Sequence, residues 1–490
     1  MPRPTGRWTG GLGESDELDE EAGEMTRRLI AMTSALVLSL GLAACSEDDE
    51  PSTDPTPSPS SSATTKPGEE QRMLTFGAFG EPEELDAFQQ VVDSFNATSQ
   101  SRRVKLVTWP THEEALAAVL AGDGPDVFLT ARRDLLQIAD STSTRPVSQL
   151  LDERGVDFGD RYSRDALEAF SYDDDLQCMP YSVSPMVMYY NDEAVDFAKM
   201  ERRGLDVPLD SDGVRSDRWT IAEFAAALQF ATRRGTIDGV WIDPTLRGLA
   251  PFIYSGGGQV LNDDDEPTSL DFSSDDSRSA LDQTLAILRD PLLTPSADEM
   301  RSATALQLFK RGKLAMIAGF RDLVPELRAD EDLSFDTISM PVIDSPATVG
   351  DIDGLCLSAD SEHVNDAADF LAYAVSDAAL EIVTRTGYIV PANTEVAASE
   401  AFLWPGREPA HATVFNSAIR GMVIPPLLAT GPELEETVGP LLSALVTSPG
   451  VLDLEAATEE IDTASKAILD PESVTESPTE PPAPTESPSE

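Results

Sequence analysis

Strand and helix signals alternate along this chain, which predicts an α/β protein. Length is the second observation behind that reading. The chain has 490 residues, and roughly 400 remain once a signal-like start and two low-complexity ends are set aside, enough for two lobes with their own cores. No internal repeat of fixed period interrupts the alternation.

Met73 to Gly77 reads as the first strand, and Phe79-Gly80-Glu81-Pro82 turns it into a helix. Leu85, Phe88, Val92 and Phe95 recur on one face of that helix. Val104 to Trp109 is a second strand. Thr111 and Glu114 have capping-box spacing for the next helix, which Gly122 can end. Asp126 to Leu129 and Met186 to Tyr190 are short strands. Thr220 and Glu223 make a second capping box ahead of a helix over Phe224 to Thr232, and Asp366 to Val375 is a late amphipathic helix. Tyr189 and Tyr190, adjacent on a strand, read as one core and one surface residue rather than as ligands.

Before the first strand, Arg27-Arg28 precedes an apolar run from Leu29 to Leu42, short for a membrane span. The run closes on Leu42-Ala43-Ala44-Cys45. This order resembles the lipobox of bacterial lipoproteins, in which the cysteine is diacylated and becomes the mature N-terminus; a signal peptide with a chance cysteine, or an uncleaved anchor, is the alternative. Residues 25–44 are then a lipoprotein signal. Seven acids between Glu14 and Glu24 do not fit an export signal, so Met25 is the expected start and 1–24 an over-extension. Residues 46–70 and 471–490, rich in Ser, Thr, Pro and acids, read as a disordered tether and a disordered acidic tail.

A net charge of −53 argues against nucleic acid as a partner and against docking on anionic lipid through the protein surface. Three scattered histidines (His112, His363, His411) give no metal site. Asn262-Asp263-Asp264-Asp265-Glu266 offers oxygen ligands but lacks the spacing of a calcium loop, and a solvated turn is preferred. No G-x-S-x-G, H-E-x-x-H or Walker A motif occurs. No cofactor is expected.

Six further segments lie in a telling order: Leu120-Ala121-Gly122-Asp123-Gly124-Pro125-Asp126-Val127, Pro180-Tyr181 through Tyr189-Tyr190-Asn191-Asp192, Trp219-Thr220-Ile221-Ala222-Glu223-Phe224, Ser255-Gly256-Gly257-Gly258, Phe309-Lys310-Arg311-Gly312-Lys313-Leu314-Ala315-Met316, and Met340-Pro341 with Ala367-Ala368-Asp369-Phe370-Leu371. Together, over roughly Met73 to Leu469, they resemble the extracellular solute-binding proteins of ABC importers, in the carbohydrate and maltose-binding branch. Each piece alone is weak, since Gly and Pro punctuate many loops. Gly256 to Gly258 also fits two accounts, a backbone anion cradle and a plain tight turn, of which the turn is preferred.

The resemblance implies a two-lobed periplasmic-binding-protein fold of type II, with hinge strands and a ligand cleft between the lobes. It divides the chain into one lobe of 71–181 with about 355–415 and another of 182–354 with about 416–470. Carried onto this chain, the ligand contacts are Phe79 and Glu81 after the first strand; Thr130, Arg132 and Arg133; Tyr181 and Ser184; Trp241, Arg247 and Tyr254; and Phe320 and Arg321. Sugar C–H faces stack on aromatic rings, and hydroxyls need bidentate partners such as carboxylate and guanidinium. Two departures limit the transfer. Aromatic residues are 6% of the chain, and Leu427 and Leu428 follow Pro425-Pro426 where the maltose branch has a stacking tryptophan. The four arginines fit an anionic, uronate-like ligand or structural ion pairs with the many acids. The resemblance also brings Cys178 and Cys356 to neighbouring strands near the lobe crossing. A disulfide that stiffens the hinge and a pair of buried free thiols are both open.

The function implied is a monomeric, lipid-anchored receptor on the outer face of the cytoplasmic membrane. It hands a small ligand, a sugar or oligosaccharide, to an ABC transporter permease, and it is not an enzyme. A secreted glycan-active enzyme using two carboxylates, and a sensory or structural lipoprotein that keeps the fold, are the alternatives.

Overall fold

The computed structural model describes residues 72–99, 102–210 and 212–475. The expected signal peptide, Cys45, the tether and the last part of the tail lie outside them.

Strand β1 (Arg72–Phe79) forms because Leu74, Phe76 and Ala78 alternate into an apolar core. Helix α1 (Pro82–Thr98) starts with Pro at its first position and with Glu83 and Glu84 in its first turn, where the helix dipole favours acids. Its buried stripe of Ala87, Phe88, Val91, Val92 and Phe95 covers the sheet, with Phe88 edge-on to Phe76 at 5.6 Å between ring centres. Strands β2 (Arg102–Trp109) and β3 (Val127–Ala131) flank β1 in parallel. The helix between them, His112–Ala118, is capped by the Thr111 side chain. The helical turns after it end at Gly122, whose φ of 82° suits glycine. Strand β4 (Cys178–Pro185) then carries the chain to the edge of this first lobe.

One residue, Met186, separates β4 from β5 (Val187–Asn191), the first strand of a second sheet. Helix α2 (Ile221–Ala231) begins with a complete Thr220–Glu223 capping box. Next come β6 (Asp238–Trp241), α3 (Leu246–Ser255), α4 (Asp275–Leu288), β7 (Leu314–Gly319) and β8 (Phe335–Ile338). The strand order is β8-β5-β7-β6, antiparallel except for β7 with β6. Both faces of this sheet are covered. Tyr189 points into one core with Phe309, Phe335 and Phe415, and Tyr190 into another with Phe197 and Trp219. Both tyrosines are therefore buried, at 0% and 3% exposure. The expected surface partner does not exist, because a doubly covered sheet has no solvent side.

The chain returns through residues 339–347 into β9 (Thr348–Ser358), which runs antiparallel to both β3 and β4 in the first sheet. The two crossings are tied together: Met186 N–H donates to the Val349 carbonyl at 2.8 Å, and the Thr348 hydroxyl donates to the Met186 carbonyl at 2.7 Å. Helix α5 (Val364–Ala374) packs Phe370 and Leu371 into the first core. The segment after it departs from the expected division. Phe402, Ala412, Val414 and Phe415, expected in the first lobe, pack on the second sheet beside Val187, Tyr189 and Phe335. The reason is local, since these rings enclose a buried cation described below. Strand β10 (Met422–Val423) pairs with Thr348–Val349 as a third crossing. The next residues straddle it: Leu427 packs against the first core and Leu428 against the second. Helices α6 (Gly431–Thr447) and α7 (Leu454–Leu469) complete the second lobe through Leu434, Val438, Leu442 and Ile461. A short helix α8 (Pro471–Thr475) follows where the composition predicts a disordered tail. Pro471 at its first position and Asp470 Oδ1 accepting from Ser473 N–H nucleate that turn.

Candidate functional site

Strand β9 carries two acids two residues apart, Asp351 and Asp353, between Gly350 and Gly354. Side chains at i and i+2 of a strand share a face, so both carboxylates leave the crossing on the same side. Arg133, just past β3, places Nη2 2.9 Å from Asp351 Oδ1. Arg247, in the first turn of α3, pairs with the other oxygen, Oδ2. One carboxylate thus holds a cation from each lobe, and this junction is the candidate for the cleft. Arg247 is further fixed by stacking its guanidinium over the Phe320 ring.

Acids gather around this junction. Asp353 receives the Ser182 hydroxyl at 2.7 Å. Burial pushes its carboxyl up to about 6, against the Ser182 hydrogen bond and with help from Asp351. Glu84, in the first turn of α1, is pushed up to about 8, first by burial and then by the charges of Asp353 and Asp322. Asp322, which follows Phe320 and Arg321, is raised by burial and then by Asp351. His112 faces the same region, its ring 6.1 Å from that of Phe79. The Asp134 carboxylate, 2.9 Å from Nδ1, raises its pKa. The candidate cleft therefore holds five carboxyls, two guanidinium groups and an imidazole. Its cations are engaged, and its acids outnumber them.

The sequence-derived candidates divide into groups. Arg133, Arg247 and Phe320 meet at Asp351, and Phe79 stands beside His112 on the first-lobe wall. Glu81 is exposed at the start of α1. Thr130 is buried in β3 opposite Gly354. Tyr181 is buried 5.7 Å from the Phe88 ring, and its hydroxyl has no hydrogen-bond partner among the described residues. Ser184 accepts from the Arg321 N–H at 3.0 Å. Trp241 donates its ring N–H to Asp243 at 2.8 Å. Tyr254 lies in the last turn of α3, far along the helix from Arg247, where burial pushes its phenol up to about 12.

Two arginines have structural surroundings. Arg132 donates to the Ala169 carbonyl at 3.1 Å and the Pro425 carbonyl at 2.9 Å, binding the first lobe to the third crossing. Burial lowers its pKa to about 10. Arg321 is 0% exposed and lies between the Phe402 and Phe415 rings, 4.4 Å and 5.0 Å from their centres. It donates to the Gly387 and Phe402 carbonyls. Burial lowers its pKa to about 9. Its contacts are core contacts, not cleft contacts.

Asp351, Asp353, Glu84, Asp322 and His112 escaped the sequence reading. A signal for the first two existed: Gly350-Asp351-Ile352-Asp353-Gly354 sets two acids at period 2 inside an otherwise apolar strand. The glycine run offers no anion cradle. The N–H groups of Gly256, Gly257 and Gly258 already donate to carbonyls of the last turn of α3. The Asn262–Glu266 segment is a turn in which Asp263 Oδ1 accepts from the Asp265 and Glu266 N–H groups, each at 2.9 Å. Among the described residues no cluster of His, Cys, Asp and Glu is arranged to hold a metal ion, and no helix is long and apolar enough to cross a membrane.

Cys178 and Cys356 form a disulfide, directly opposite each other on β4 and β9 with Cα atoms 4.2 Å apart. It lies in the first-lobe sheet, at the far end of both strands from the Gly350–Pro185 pair at the crossing.

Comparison with known proteins bears on family and fold. Residues 90–410 match the family described as bacterial extracellular solute-binding protein. A maltotriose-binding protein of Pyrococcus abyssi is 26% identical over 116 residues, 24% of this chain and 25% of that protein, so the match spans a quarter of that curated relative. Among solved structures, the chain resembles an ABC substrate-binding protein from Listeria monocytogenes in complex with cycloalternan, with a TM-score of 0.66 and 19% identity over 80% of this chain and 98% of the other. The GacH receptor of Streptomyces glaucescens, solved unliganded and with acarbose, gives 0.64 and 18% over 82% and 99%. The sugar-binding protein MalE from Xanthomonas citri gives 0.67 and 16% over 81% and 97%. At these identities the structures establish the two-lobed fold.

Proposed function

Because this chain belongs to the bacterial extracellular solute-binding proteins, a family of binding proteins rather than enzymes, we propose that it is the receptor of an ABC importer and that its ligand is a neutral sugar or oligosaccharide. The observation that carries this reading is the double ion pair of Asp351 with Arg133 and Arg247. The two cleft arginines share the Asp351 carboxylate, and Asp353 and Asp322 add acid nearby, while Glu84, pushed up to about 8, is largely protonated at neutral pH. Such a site leaves no excess of cations for an anionic ligand and offers carboxylate and guanidinium groups to hydroxyls. The sharing of Asp351 by both arginines argues for a neutral sugar over the uronate-like alternative. Arg247 on Phe320 forms a flat wall for a sugar ring. Relatives whose ligands are maltotriose, cycloalternan and acarbose fit the same ligand class.

A thermal-shift panel of neutral oligosaccharides, uronates and amino acids tests the reading. A neutral sugar at 100 times its dissociation constant adds about 2.7 kcal/mol of stability. Stabilisation by uronates alone overturns it.

Lipid anchoring through Cys45, delivery to a permease, and the lobe boundaries around the crossings at Met186 and 339–347 belong to the same proposal. Replacing Cys45 by Ser releases the protein from the membrane fraction; a Cys45→Ser protein that stays membrane-bound rules this anchor out.

A further inference from the structure

At the lobe crossing lies a cavity of about 250 Å3 lined by Arg218, Ser339, Thr348, Ser417, Arg420 and Gly421. It shares no residue with the Asp351 junction. We propose that it is a second binding site, for a small dianion such as a dicarboxylate or a phosphate.

The charge distribution is the first argument. The chain has 88 acids against 35 Lys and Arg. Arg133, Arg154, Arg247, Arg278 and Arg385 each hold a carboxylate, and Arg132, Arg145, Arg289, Arg321 and Arg328 donate to backbone carbonyls instead. Arg218 and Arg420 both line this cavity, and neither side chain has a carboxylate partner among the described residues. Two unneutralised guanidinium groups facing one cavity present forked donors to a planar or tetrahedral anion. No acid lines the cavity beside them.

The walls are built from backbone that cannot easily move. A Cβ at Gly421 would come within 2.8 Å of the Pro346 carbonyl oxygen, so only glycine lets the 419–421 turn lie flush against the crossing segment. The Ser339 hydroxyl donates only to its neighbour's carbonyl, at 3.2 Å, so it can turn to a ligand.

Position supplies the consequence. Arg218 belongs to the second lobe, Ser339 opens the returning segment, Thr348 opens the strand that follows it, and Ser417 to Gly421 leads into the third crossing. An anion held there bridges segments that lobe motion displaces, so it favours one degree of opening over another.

Calorimetric titration with inorganic phosphate and with succinate, at ionic strength held constant with chloride, tests the site. The expected result is saturable binding of at least one anion, weakened at least about tenfold in R218A/R420A, as loss of charge-assisted bonds implies. Preference for phosphate or for succinate separates the two sources of the dianion. No saturable binding, or equal binding by the double variant, overturns the proposal. R420A, on an exposed turn, gives the same reading if the double variant fails to fold. Neutral sugars should bind the double variant as wild type, so failure here and failure of the cleft reading are distinguishable.

Discussion

The guanidinium of Arg247 lies 3.9 Å from the centre of the Phe320 ring. Arg247 comes from the start of a second-lobe helix, and Phe320 directly follows a second-lobe strand. The stack holds the guanidinium flat while its edge pairs with Asp351 on the crossing strand. Lysine keeps the charge but has neither the plane nor the fork. Arg247→Lys is therefore expected to weaken sugar affinity about tenfold, with the unfolding midpoint nearly unchanged. Calorimetry with the best sugar of the panel measures it. Wild-type affinity in this variant excludes the stack from the binding site.

Arg321 calls for the opposite outcome. Its replacement by Met leaves the Gly387 and Phe402 carbonyls without their donor and removes two ring contacts. Each unsatisfied buried acceptor costs about 1–3 kcal/mol. Arg321→Met is expected to destabilise by roughly 3 kcal/mol in urea denaturation, while the folded fraction binds sugar with wild-type affinity. Arg133→Ala, at an exposed position, should do the reverse. A destabilised Arg133→Ala with intact binding would exchange the two roles.

The contrast shows how far the sequence carries. Elements with a strong local rule were legible: the Leu74, Phe76, Ala78 alternation, the Thr220–Glu223 box and the stop at Gly122 all act over a few residues. Arg133 and Arg321 look alike in sequence, each two residues past the end of a strand. What separates them is the arrival of Phe402 and Phe415 from 81 and 94 positions along the chain, an encounter no local pattern records. Asp351 stayed hidden because an acid in an acid-rich chain carries little signal until two cations converge on it.

Stability should depend on pH through the cleft acids. In the fold Glu84 titrates at about 8 and Asp353 at about 6, mainly because burial disfavours their charged forms. Unfolded, both titrate near 4. Between these limits the folded chain binds more protons than the unfolded chain, so the contribution of these groups falls as pH rises. Asp353 loses its share between about 4 and 6, and Glu84 continues to about 8. Urea midpoints at pH 5 and pH 8 read this out. Glu84→Gln cannot ionise, so the drop between the two should shrink relative to wild type; an equal drop in both proteins places the coupling elsewhere.

The Cys178–Cys356 bridge closes a loop with a sequence separation of 178. Constraining so long a loop in the unfolded chain stabilises the fold by roughly 2–4 kcal/mol. Position decides what else the bridge does. The β4–β9 ladder runs from the cysteine pair to Gly350–Pro185 at the crossing, with a register shift between Asp353 and Gly354 on the way. The bridge therefore reinforces the first lobe and leaves the crossing free, contrary to the expectation that it stiffens the hinge. Cys178→Ser/Cys356→Ser should unfold at lower denaturant in a non-reducing buffer, by an amount within that range. Sugar affinity and the change in radius of gyration on binding should match wild type. A double variant of unchanged stability contradicts the stabilising role, and a wider range of opening returns the bridge to the hinge.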